Sequence, residues 1–247
     1  MNDIRIASLR DADRDFGLRA LFSLDEADDG AAVIVCVGDT RLENLPLDFS
    51  ALDAWTGVPK AGPGAFLGVA VYGDLAVSDG IINAGRDSGP FLWVRGDVRA
   101  KNLAVAGGEV RIEGGLEAAQ TIAGVRGLGR TVVRGDARAE AVLARGHLME
   151  FHAGLTAELV VADDLLRVGD PGRVEVAGWS GRAHDLRGGL LPGLGSASTR
   201  ALRLLAPGLR DLDGGLEDAL AAIEQGCSLL DAPAPTLSAA FGRTPAA

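Results

Sequence analysis

A chain of 247 residues with 47% apolar content can bury a sizeable core, and its formal net charge of −10 disfavours nucleic acid as a partner. Only two cysteines, Cys36 and Cys227, stand far apart in it, which excludes a disulfide framework, and no apolar run reaches membrane-spanning length. Thirty-five glycines beside 4% aromatic residues point to a turn-dense fold with a narrow aliphatic interior.

The first thirty residues read as an N-terminal cap. After a short apolar pulse at Ile4 and Ile6, Phe16, Leu18, Leu21 and Phe22 line one side of a helix or irregular segment. The acidic stretch from Asp25 to Gly30 then delivers the chain to its main body. This charged start does not resemble a signal peptide, and with the two unpaired cysteines it implies a reduced, cytoplasmic setting.

From residue 31 to 187 an alternating apolar segment repeatedly meets a Gly-Asp or Gly-Gly pair and resumes. The punctuating pairs are Gly38-Asp39, Gly73-Asp74, Gly96-Asp97, Gly114-Gly115 and Gly135-Asp136, and the glycines are 35, 23, 18 and 21 residues apart. Aligned on the glycine, the positions two before it read Cys36, Val71, Val94, Ile112 and Val133, and those four before it Ile34, Val69, Leu92, Val110 and Thr131. They share one face of a period-2 strand, while the residues between them are mostly polar. A second apolar pulse follows in each copy, at Ile81-Ile82, Leu103 with Val105, Ile122 and Val142-Leu143. One strand-turn-strand unit every 20 or so residues is the signature of an all-β solenoid, a right-handed parallel β-helix. The gaps are too short for crossover helices and too irregular for a hexapeptide helix, and the fixed leucine and asparagine ladder of leucine-rich repeats is absent. The glycine is expected to allow a bend that a Cβ would resist, and the aspartate to cap that bend.

Residues 45–63, with Pro46, Trp55, Pro59 and Pro63, account for the long first spacing and read as a loop or short helix inserted in the first coil. It is either a binding loop or a lid folded over the open end of the core. Beyond Ala139 the segments 148–152, 158–161 and 173–177 extend the stack, and Trp179 is placed to close it. Residues 188–247 read as a glycine-leucine linker, two short helices that form an α-helical extension, and a proline-alanine tail.

In register, the outward residue before each glycine reads Tyr72, Arg95, Glu113, Arg134, and the outward residue three after it Ala76, Arg99, Glu117, Arg138. Parallel strands would therefore carry two Arg-Glu-Arg ladders, with opposite charges about 4.8 Å apart. The middle of the chain, residues 91–146, holds 9 bases and 6 acids, against 12 acids and 6 bases in residues 1–60. That weakly basic stripe reads as a solvated strand face.

Catalytic chemistry is sparse. Neither a phosphate-binding glycine loop followed by a helix nor a Gly-x-Ser-x-Gly elbow is present. His147, Glu150 and His152 are the candidate metal or acid/base set, but on a strand Glu150 and His152 share a face and His147 points the other way. No cofactor and no catalytic residue are expected.

The Gly-Asp-punctuated units, such as Val94-Arg95-Gly96-Asp97-Val98-Arg99-Ala100, resemble those of the bacterial polymer-forming, bactofilin-like proteins over roughly residues 31–180. The resemblance implies a non-catalytic β-helix that self-associates as a scaffold. The irregular coil lengths and the terminal extensions depart from the plainest members, so a discrete monomer or dimer is expected. Two alternatives stand beside a scaffold that binds itself or another protein, without nucleic acid or membrane. One is an acidic, immunity-type inhibitor that binds through the 45–63 loop and the C-terminal helices. The other is a carbohydrate-active β-helix enzyme with an aspartate pair such as Asp163-Asp164.

Overall fold

A computed structural model of the protein describes residues 3–57, 66–85, 89–125, 127, 129–191, 222–223 and 229. In chain order its elements are β1 (Asp3–Ser8), α1 (Leu9–Phe16), α2 (Leu18–Phe22), β2 (Ala32–Val37), β3 (Thr40–Leu42), β4 (Leu45–Pro46), α3 (Phe49–Thr56), β5 (Gly68–Tyr72), β6 (Leu75–Asn83), β7 (Phe91–Val94), β8 (Val98–Val105), β9 (Glu109–Ile112), β10 (Leu116–Val125), β11 (Arg130–Val133), β12 (Ala137–Arg145), β13 (Leu148–Phe151), β14 (Leu155–Ala162), β15 (Leu166–Val168), β16 (Val174–Gly181) and β17 (His184–Asp185). They stack as a parallel β-solenoid of about six turns with about 19 residues per coil.

Two long sheets run along the stack. Sheet A has the order β1-β2-β5-β7-β9-β11-β13-β15-β17, and sheet B the order β16-β14-β12-β10-β8-β6-β3. The strands of each are parallel except β1, which pairs antiparallel with β2 at one end. The glycine alignment matches the pairing: Cys36 opposes Val71, Val71 opposes Val94, and Ile112 lies between Val94 and Val133. These columns point inward and, with the sheet B residues opposite, form one continuous aliphatic core that ends around Phe151, Val168 and Trp179.

The long strands of sheet B turn a corner. In β8, Val98 and Ala100 face the core, and after two intervening residues Leu103 and Val105 do so again. Register shifts fall at this point in the β6–β8, β8–β10 and β10–β12 pairs. The second apolar pulse of each copy is thus a third face of the coil, set off by a break in the period-2 alternation.

Glycine at the turns has a different reason from the expected bend. Of the five punctuating glycines at 38, 73, 96, 114 and 135, Gly38 alone has positive φ, at +85°. Instead, successive turns lie directly on one another. A Cβ on Gly96 would stand 2.7 Å from the Gly73 carbonyl oxygen and against the Asp74 carboxylate, and one on Gly135 2.7 Å from the Gly115 nitrogen. The aspartates also act across coils rather than within their own turn. Asp74 N–H donates to Asp39 Oδ1 (3.1 Å), Asp97 N–H to Asp74 Oδ1 (2.9 Å), Gly115 N–H to Asp97 Oδ1 (2.8 Å) and Gly154 N–H to Asp136 Oδ1 (2.9 Å). Each carboxylate ties its turn to the next, so the stack is stitched along this edge by charge-assisted bonds.

The terminal segments lie on the flanks. Leu9, Ala12, Leu18 and Phe22 of α1 and α2 pack on the outward side chains of sheet A's first coils: Val33, Val35, Ala70, Phe91 and Trp93. Ser8 caps α1, accepting from Asp11 N–H, and Gly17 ends it at φ +67°. The inserted segment supplies a lid: Leu45, Leu47 and Leu52 are fully buried in the main core, with Trp55 packed against it. Residues 58–63 of the insertion lie outside the described residues, as does all of the linker, helices and tail expected over residues 188–247 beyond residue 191, apart from Ala222, Ile223 and Leu229. Those three close a second flank, where Ile223 and Leu229 are buried on Ala104, Ala123, Leu143, Leu159 and Val161, which project outward from the third face.

Candidate functional site

Among the described residues, two strand faces have no terminal segment packed on them, and both carry charge in register. On the first half of sheet B, Ala76 opposes Arg99, Arg99 opposes Glu117, and Glu117 opposes Arg138. Arg99 Nε lies 3.5 Å from Glu117 Oε2. Arg99, Glu117 and Arg138, with the turn residues Asp97 and Asp136 and with Arg173 and Glu175 further along, line a trough of about 520 Å³ that runs across successive coils. Arg173 reaches Asp136 at 2.6 Å. Together with the Gly154 amide, whose contribution is the larger, it holds the Asp136 carboxyl below the usual carboxylate value.

The other open face is the later part of sheet A. Along the middle of its outer side the strand pairing places Trp93, Arg111, Val132, Glu150, Arg167 and His184 in one column. Beside it runs the column of Tyr72, Arg95, Glu113, Arg134 and His152, each following the last residue or bordering the end of its strand. Glu113 bonds Arg111 at 2.6 Å and lies 3.8 Å from Arg134. Arg95 is placed over the Tyr72 ring, 4.3 Å from its centroid, so the first ladder begins on an aromatic face. Glu150 is held by Arg130 at 2.5 Å and Arg167 at 3.4 Å, with its side chain 6% exposed. Burial pushes its carboxyl up, but the two guanidiniums more than reverse this and leave it below the usual value. His152 Nδ1 faces Arg134 at 2.8 Å. Burial, then the Arg134 charge, pushes its imidazole below the ordinary value.

His147 does not join Glu150 and His152. It is fully buried at the corner after β12, with Nδ1 2.9 Å from the Ala106 carbonyl oxygen and Nε2 2.9 Å from Thr131 Oγ1. A carbonyl only accepts, so Nδ1 carries the proton, and Nε2 accepts from the threonine hydroxyl. Burial lowers its pKa and keeps the ring neutral. The same bond explains how Thr131 occupies an interior column. Glu150 and His152 do share the outer face, 3.7 Å apart. Among the described residues no group of three or more His, Cys, Asp or Glu is placed to hold a metal ion. Asp163 and Asp164, the imagined dyad, work locally: Asp163 accepts from Gly146 and Leu165 amides, and Asp164 faces Arg182 and His184.

Cys36 is an interior residue with a free thiol, which burial pushes up to about 11. A thiol held protonated there serves packing rather than nucleophilic chemistry. Cys227 lies outside the described residues. No helix among them is long and apolar enough to cross a membrane.

The glycine-aligned rows omitted Arg111, which bonds Glu113 two residues on, and Arg130 and Arg167, whose common partner Glu150 lies 20 and 17 residues away. Their signal was present in the alternation of the strands themselves, two or four positions further from the turn. Compared with family models, curated proteins and solved structures, the chain matches none of them.

Proposed function

We propose that the protein is a non-catalytic scaffold or protein-interaction module, as in the bactofilin-like proteins its repeats resemble. The observation that carries this reading is the division of the solenoid's flanks. Among the described residues, parts of the terminal segments bury the apolar outer surfaces, on the first coils of sheet A and the third face of sheet B, and leave open two in-register charged faces. Rigid parallel strands present side chains at fixed spacings, which suits recognition of another protein surface. The immunity-type alternative draws less support, because Leu45, Leu47 and Leu52 of the proposed binding loop are committed to the core.

A photo-crosslinking residue introduced at position 138, on the open half of sheet B, or at position 109, an exposed position on the open part of sheet A, tests this in the native host. One or both positions are expected to yield discrete cross-linked species, to a second copy or to another protein. Only uncrosslinked chain from both positions refutes the scaffold reading.

A further inference from the structure

The later outer face of sheet A holds more cations than it can neutralise. Arg111 and Arg134 divide Glu113 between them, and Arg130 and Arg167 divide Glu150. Glu109, which opposes Arg130 and feels its charge, is the third carboxylate of this face, so four guanidiniums share three carboxylates, and each guanidinium has five N–H donors. Arg130, Arg134 and Arg167 keep 39–49% of their side chains exposed, so donors remain directed at solvent from positions fixed by strand register. The local field agrees: Glu150 is held ionised despite its burial, and His152 is held neutral with Arg134 beside it.

We propose that this strip docks an acidic segment of a partner protein, a stretch rich in aspartate and glutamate whose carboxylates take the unused guanidinium donors. The proposal rests on the scaffold reading and names the chemistry of the partner. Bidentate pairing with carboxylates is the arrangement arginine favours, and fixed guanidiniums lose little freedom on forming it. A polynucleotide fits less well. Glu109, Glu113 and Glu150 interrupt the strip, and the segment that covers the neighbouring coils of this same sheet, residues 3–30, carries eight acids against four bases, which repel a long phosphate chain.

The test is fluorescence anisotropy of the full-length protein with a labelled oligoglutamate peptide at low salt, beside a single-stranded DNA oligonucleotide of equal charge. Saturable binding of the peptide is expected, weakening as salt rises. Arg130→Gln with Arg167→Gln should weaken it at least about tenfold, by loss of two charge-assisted contacts. Glu150→Gln should strengthen it several-fold by freeing both guanidiniums, a gain that a misfolded variant would not show. Arg10→Gln, an exposed arginine on α1, should leave it unchanged. No saturable peptide binding, equal losses in the Arg10 and Arg130/Arg167 variants, or DNA binding as tight as the peptide's overturns the proposal. The photo-crosslinking experiment stands apart from this outcome, because it reads any partner at either face.

Discussion

Replacing Gly96 by alanine tests why glycine occupies the turns. Gly96 has no positive φ, so alanine could adopt its backbone without strain. The new Cβ would instead lie 2.7 Å from the Gly73 carbonyl oxygen and 2.8 Å from its carbon. Ordinary contact begins at about 3.4 Å, so the two turns would have to part by roughly 0.7 Å. Three bonds cross that gap: Gly96 N–H to Gly73 O at 3.0 Å, Leu75 N–H to Asp97 O at 2.8 Å and Asp97 N–H to Asp74 Oδ1 at 2.9 Å. Weakening all three, at about 0.5–1.5 kcal/mol each, gives a loss of about 1.5–4.5 kcal/mol, which overlaps the range of about 1–3 kcal/mol for overpacking. Urea unfolding followed by circular dichroism would measure it. The decisive comparison is a double-mutant cycle with Asp74→Ala. The Asp74 carboxylate is the group nearest the new Cβ, so removing it should relieve part of the clash, and the two changes should couple by about 1 kcal/mol. Additivity, or a Gly96→Ala variant as stable as the parent, would refute the stacking argument and restore a purely conformational one.

Other outcomes follow from the same geometry. Glu113→Arg with Glu117→Arg should lower the melting temperature, with partial recovery in high salt. Glu113 faces Arg111 and Arg134, and Glu117 faces Arg99, where each exposed pair contributes about 0–1 kcal/mol. His147→Ala should cost about 2–4 kcal/mol by leaving a cavity and an unpaired carbonyl at Ala106. Because the folded pKa of His147 is depressed, the unfolded chain takes up the proton first. The ring's contribution should therefore be full above the usual histidine value and decline as pH falls below it, and a pH series of melts on parent and variant reads this difference. Asp136 is also depressed. Its stabilisation should be present above the usual carboxylate value and vanish as pH falls through its lower folded value, so melts of parent and Asp136→Ala should converge in acid. Ile223→Asp should lower stability and raise binding of a hydrophobic dye, because it uncovers the apolar strip of Ala123, Leu143 and Val161.

The solenoid was legible in the sequence because each coil repeats a local rule: alternation on one strand face, then a glycine that only its neighbour's turn makes necessary. Register followed from aligning those glycines, since a one-residue slip would turn Val71 and Ile112 out to solvent. The opposite directions of His147 and Glu150 followed from the same alternation. The flanks had a subtler signal. Runs apolar at every position, such as Val33-Ile34-Val35-Cys36 and Leu103-Ala104-Val105, mark strands covered on both sides, but not what covers them. Only the folded chain decided that α1 and α2 lie on sheet A and that Ile223 reaches the third face, because those contacts join residues with no periodic relation. It also decided which charges meet. Glu150 is clamped by arginines 20 residues before it and 17 after it, a distance set by the length of a coil and invisible until the coils are stacked.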